Sequence, residues 1–188
     1  MDQLLNLPNL LTGIRLACIP VLVGLFYVPI EHHQRLAALT FLIASATDFI
    51  DGYLARRRSQ ITNLGKLLDP VADKLLVMAA LLLLVEAGKL WAWVAILIIG
   101  REIAVTGLRA MASTRGVVMA AEGMGKFKML FQVIGITFLF LVDSSDHNTL
   151  WMIGCTSLAA AVLLALISGG QYAIRAGHLL LSPHKSGP

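Results

Sequence analysis

The sequence is poor in charge. Of its 188 residues only 14% are Asp, Glu, Lys or Arg, while 57% are hydrophobic and the mean hydropathy is +0.79. Soluble domains carry roughly 25% charged residues, so this scarcity excludes an ordinary water-soluble globule. It points to an integral membrane protein folded as one domain over residues 1–188. Cysteine is almost missing as well. Cys18 and Cys155 both fall in apolar runs, which suits packing and argues against a disulfide framework or a zinc site. Met1–Asn9 lacks the basic start of a secretory leader, and the apolar stretches are too many and too evenly spread for one. No internal repeat, linker or basic-aromatic module is visible. The net charge of +4 therefore reads as anchoring at a cytoplasmic membrane face, with no nucleic-acid partner.

What is present is six apolar stretches, at about 8–29, 34–57, 66–87, 90–113, 123–143 and 149–175. Each reaches the roughly 20 residues that a helical bilayer crossing requires. The expected fold is all-α: a polytopic membrane protein of six transmembrane helices with a short interfacial segment at its N-terminus. Breaks at Pro29–His33, Ala87–Lys89 and Asp143–His147 alternate with Arg56–Arg58, Arg115–Gly125 and the tail from Arg175. Lys and Arg concentrate on the second set, with Arg35 and Lys89 the exceptions. That asymmetry puts both termini in the cytoplasm. Trp91, Trp93 and Trp151 fall at the opposite ends, where an aromatic belt belongs. The tail, with His178 and His184, reads as partly disordered.

Against this background four carboxylates stand out. Asp48 and Asp51 are three apart, and Asp69 and Asp73 are four apart, so each pair shares one face of its helix. A short connection through Arg56–Gln60 brings the two helices together. Four acids in an apolar setting repel one another and lose their hydration, and bound divalent cations are the simplest remedy. A carboxylate-only set suits Mg²⁺ or Mn²⁺, and two such ions can polarise a diphosphate. Gly52, Ala55 and Gly65 keep the acidic faces free of bulk. Arg56 offers a planar fork for phosphate, and Thr62 adds a hydroxyl in the connection. The bland alternative is a set of salt bridges to Arg56, Lys66 and Lys74, which the interleaved small residues do not require.

The pattern Asp48-x2-Asp51-Gly52-x2-Ala55-Arg56-x8-Gly65-x3-Asp69-x3-Asp73 matches, at all eight specified positions, the signature of the CDP-alcohol phosphotransferases, and the chain resembles that family over essentially its whole length. The resemblance implies displacement of CMP from a CDP-linked lipid by an alcohol. It implies that Asp48, Asp51 and Asp69 hold two divalent cations, and that Asp73 also touches metal and acts as general base. It assigns CDP contacts to Gly52, Arg56 and Thr62, with Asn9 and Thr12 of the first span expected beside them. A homodimer in the bacterial inner membrane, with its active site toward the cytoplasm, is implied too.

The signature leaves the acceptor open. Arg15, Arg101, Arg109 and Lys126 could form a second anion pocket, which an acceptor carrying its own phosphate would need. Arg101 lies too deep to snorkel easily, whereas Arg115 and Lys128 could simply mark the interface. The strings N-L-P-N-L-L-T-G-I-R, L-L-D-P-V-A-D-K, G-R-E-I-A-V-T-G-L-R and G-K-F-K are similar to the bacterial branch that uses CDP-diacylglycerol and sn-glycerol 3-phosphate. Inositol phosphate, serine or phosphatidylglycerol are the alternatives within the family. Outside it stand a Mg²⁺-dependent membrane prenyltransferase and a cation transporter. The first usually places its acidic motifs far apart in sequence, and the second has no need of Gly52, Ala55 and Arg56 at their spacings.

Overall fold

In an apolar chain the backbone must satisfy its own hydrogen bonds, and the helix does this within one segment. The computed structural model describes residues 7–58, 63–114, 124–142 and 149–181, with side chains described at 12–47, 71–113, 125, 127–142, 149–174 and 177. These residues form six helices: α1 (Leu7–Tyr27), α2 (His33–Arg58), α3 (Asn63–Glu86), α4 (Ala92–Thr114), α5 (Met124–Leu141) and α6 (Thr149–Leu181). They fall on the six apolar stretches expected from the sequence, and there is no strand among the described residues. The all-α class holds.

One boundary differs. α6 runs through Arg175 and His178 to Leu181, where a partly disordered tail was expected. After the lone Gly177 the segment His178–Leu181 contains no helix breaker, and Pro183 comes just beyond it. Residues 1–6, with most of the expected interfacial segment, and Thr62 in the α2–α3 connection lie outside the described residues. Among the described residues, Thr149–Ile174 combines the length and apolarity needed to cross a bilayer, while Thr12–Tyr27 and Phe127–Leu141 are shorter apolar helical stretches.

The turns have local causes. α1 stops just before Pro29, whose ring disfavours helical geometry at the preceding residue. α3 ends on Gly88, which takes φ of 69°. The amide of Gly88 donates to Val85 O at 3.0 Å and that of Lys89 to Leu84 O at 3.0 Å, the paired bonds of a Schellman cap that favours glycine. Lys89 then reaches across the bundle. Its Nζ donates to Val142 O at 2.6 Å and to Gln34 Oε1 at 2.8 Å. It thereby ties the start of α2 and the end of α5 to the α3–α4 turn, which accounts for a lysine on the side where the sequence has few.

α5 and α6 pack most extensively, α1 lies against α2 and α3, and α4 lies against α6. α3 touches both α4 and α5, so α3, α4, α6 and α5 form a ring. The α5–α6 approach is close because of two glycines: a Cβ on Gly135 would lie 2.7 Å from Leu158 Cγ and 3.0 Å from Gly154 O. The buried core includes Leu22, Phe41, Leu81, Leu84, Leu139 and Phe140. It occupies the half of the bundle next to the 28–32 and 87–91 turns. Cys18 and Cys155 are free and pack against it. The opposite half of the ring is where polar side chains collect.

Candidate active site

Between the four ring helices lies a cavity of about 350 Å³. α3 contributes Asp73 and Lys74 to its wall, α4 contributes Arg101, Glu102, Thr106 and Arg109, α5 contributes Lys128 and Gln132, and α6 contributes Ser168 and Tyr172. The rest is apolar, with Val77, Met78, Ile98 and Val133 among the lining side chains. One end is thus rich in charge while the remainder suits hydrocarbon. Such a division fits a ligand with a phosphate at one end.

Three of the cations in the wall, Arg101, Lys128 and Arg109, are held by named partners. The Arg101 side chain is 12% exposed and is fastened to α6: Nε donates to Ala165 O at 3.0 Å and Nη2 to Ser168 Oγ at 2.6 Å. Gly169 makes room for it, since a Cβ there would sit 3.4 Å from Arg101 Cγ. The third nitrogen, Nη1, donates to Glu102 Oε1 at 3.0 Å. Lys128, also buried, donates from α5 to the same Glu102 oxygen. Arg109 stacks 4.9 Å over the Tyr172 ring and its Nη2 donates to the Tyr172 hydroxyl at 2.8 Å. A guanidinium held by both a ring face and a hydroxyl keeps little rotamer freedom.

The sequence motif meets this cavity through Asp73, which is half-buried and lies in its wall. α2 is helical through residues 48 and 51, and α3 through 69 and 73, so the three- and four-residue spacings are realised on helices that pack against each other. The side chains of Asp48, Asp51, Asp69, Gly52, Arg56, Asn9 and Lys126 lie outside the described residues. Carboxylates alone, without His or Cys, are the donor type suited to hard divalent cations.

A family model described as CDP-alcohol phosphatidyltransferase matches residues 5–168. The chain belongs to that family. Among its curated relatives is the CDP-diacylglycerol–glycerol-3-phosphate 3-phosphatidyltransferase of Bacillus subtilis, 40% identical over 181 residues, covering 89% of this chain and 93% of the relative. A protein of the same name from Pectobacterium atrosepticum is 39% identical over 183 residues, covering 95% and 98%. A probable phosphatidylglycerophosphate synthase of Mycobacterium tuberculosis is 40% identical over 177 residues, covering 93% and 83%.

Within this member of the family, Arg101 and Arg109 share one cavity with Asp73. Thr12 and Arg15, both buried in α1, are not among the residues lining it. Lys128, treated in the sequence as an interface marker, is buried in the wall. Ser168 and Tyr172 went unnoticed because they interrupt an apolar run without charge. Their one signal is a four-residue spacing, which puts the two polar groups on one helical face.

Proposed function

We propose that this chain transfers the phosphatidyl group of CDP-diacylglycerol to sn-glycerol 3-phosphate, giving phosphatidylglycerophosphate and CMP. The observation that carries this is the single cavity holding Asp73 together with Arg101, Arg109 and Lys128. The wall carries four cations, Lys74, Arg101, Arg109 and Lys128, against the two carboxylates of Asp73 and Glu102. A neutral acceptor such as serine has no use for that excess in a half-apolar setting, whereas a phosphorylated alcohol does. The names of the relatives point the same way.

In this reading Asp48, Asp51, Asp69 and Asp73 hold two divalent cations, Mg²⁺ or Mn²⁺. Bound there, the cations supply Lewis-acid polarisation of the diphosphate and neutralise charge on the departing CMP. Gly52, Arg56 and Thr62, with Asn9 and Thr12, contact the CDP portion. Arg109 and Lys128 bind the acceptor phosphate, and Arg101 braces the pocket by tying α4 to α6. Asp73 accepts the proton of the acceptor's 1-hydroxyl as that oxygen attacks the phosphorus bearing the diacylglycerol. The bond from that phosphorus to the CMP oxygen breaks, and CMP leaves. Six membrane crossings, with the charged half of the bundle toward the cytoplasm, suit the apolar side chains exposed along the helices, such as Ile96, Leu163 and Ile174. Lipid tails then lie in the bilayer while the diphosphate reaches the cavity.

The test is incorporation of labelled glycerol 3-phosphate into extractable lipid by purified protein supplied with CDP-diacylglycerol and Mg²⁺. Label in lipid that disappears on chelation and returns with Mg²⁺ supports the reading. Label that fails to enter lipid from folded protein contradicts it.

A further inference from the structure

Glu102 is an odd residue for an anion pocket. It is a carboxylate, it lines the cavity, and its side chain is 23% exposed. Arg101 and Lys128 both bind its Oε1. Its other oxygen, Oε2, has no hydrogen-bond partner among the described residues. Oε2 is not among the buried unpartnered oxygens, so it is open to the solvent of the cavity. A ligand that displaces water from it must supply a donor in its place, and the cations beside it are already engaged through Oε1. Repulsion keeps the acceptor's phosphate away from Oε2, so the donor must come from an uncharged part of the ligand.

We infer that Glu102 selects the acceptor by accepting a hydrogen bond at Oε2 from a hydroxyl that is neither the phosphate nor the attacking group. This rests on the acceptor proposed above. For sn-glycerol 3-phosphate that group is the secondary hydroxyl on carbon 2. Glu102 then acts twice: Oε1 steadies Lys128 and Arg101, and Oε2 reads the polyol. A site built to bond a hydroxyl rejects an analogue lacking it, because the carboxylate oxygen is left unsatisfied.

The experiment compares two acceptors, sn-glycerol 3-phosphate and 3-hydroxypropyl phosphate, by Mg²⁺-dependent CMP release from CDP-diacylglycerol. Both have a primary hydroxyl and a phosphate; only the first has the secondary hydroxyl. Taking the ratio of their kcat/KM values cancels every effect common to both, including metal binding, lipid binding and the active fraction of the protein. The wild-type protein is expected to favour glycerol 3-phosphate by about 10- to 100-fold, the range for a hydrogen bond to a charged group. Glu102→Gln should narrow the ratio, and Glu102→Met should bring it within about threefold. Equal use of both acceptors by the wild-type protein overturns the inference without any variant. A ratio that survives in both variants overturns it as well, because the hydroxyl is then read elsewhere. CMP release with neither acceptor is a different failure, that of the acceptor assignment itself.

Discussion

Glu102 and Lys128 meet across the cavity, one from α4 and the other from α5. Those two helices do not otherwise pack against each other among the described residues. The ion pair therefore spans a pocket whose walls are joined through α3 and α6, and it fixes where the buried Lys128 ammonium sits. Lys128→Met should raise KM for glycerol 3-phosphate by about tenfold or more, the loss of one charge-assisted hydrogen bond. KM for CDP-diacylglycerol should change little. Steady-state kinetics with each substrate varied in turn checks this.

Arg101 and Arg109 should separate in their consequences. Arg101 makes three hydrogen bonds, two of them to α6. Arg101→Ala should therefore destabilise the fold by about 2–3 kcal/mol. Arg101→Lys should recover little of this, since an ammonium cannot span the same fork. Arg109 belongs to an exposed stretch and leans on Tyr172. Arg109→Ala should leave thermal unfolding in detergent nearly unchanged and raise KM for the phosphorylated acceptor. An unchanged KM would remove Arg109 from the pocket.

Asp73 carries the proton transfer in the proposed reaction. Asp73→Asn keeps the size of the side chain and removes its basicity. It should lower kcat by about 10²- to 10⁴-fold, or further if metal is lost as well. Circular dichroism should show the helical content retained. Substantial activity in a folded variant would move the base elsewhere.

The fold makes its own prediction at the α5–α6 crossing. Gly135→Ala would put a Cβ 3.0 Å from the Gly154 carbonyl and the Leu158 amide. Backbone atoms cannot turn aside as a side chain can, so the helices must separate, at about 1–3 kcal/mol. Lys89→Met should weaken the opposite end of α5 by about 1–3 kcal/mol, because the carbonyl of Val142 loses its donor. Thermal unfolding of both variants in one detergent measures each.

The helices were legible in the sequence because their signal is local. Apolar runs, Pro29 and Gly88 fix where segments start and stop, and five of the six helices have both ends within about three residues of expectation. α6 was underestimated because Arg175 was read as the start of a basic tail, although its neighbours continue the helical hydrogen bonding. The acidic motif was legible as spacing. The pocket was legible only in part. Arg101 could be picked out by its depth in an apolar helix, and Arg109 by lying eight residues further on roughly the same face. Which lysine of G-K-F-K enters the wall depends on the rotation of α5, and that is set by its contact with α6 through Gly135 and Gly154. Tyr172 becomes meaningful only once α6 lies beside α4, a contact between residues 63 positions apart.

The central claim is that one cavity serves both the motif carboxylate and a phosphorylated alcohol. It is tested most directly by CMP release from CDP-diacylglycerol, with Mg²⁺ present and one candidate acceptor per reaction. CMP released with glycerol 3-phosphate, and not with serine, inositol phosphate or phosphatidylglycerol, is the predicted result. Release with serine alone would leave the metal motif intact and contradict the assignment of the cationic pocket.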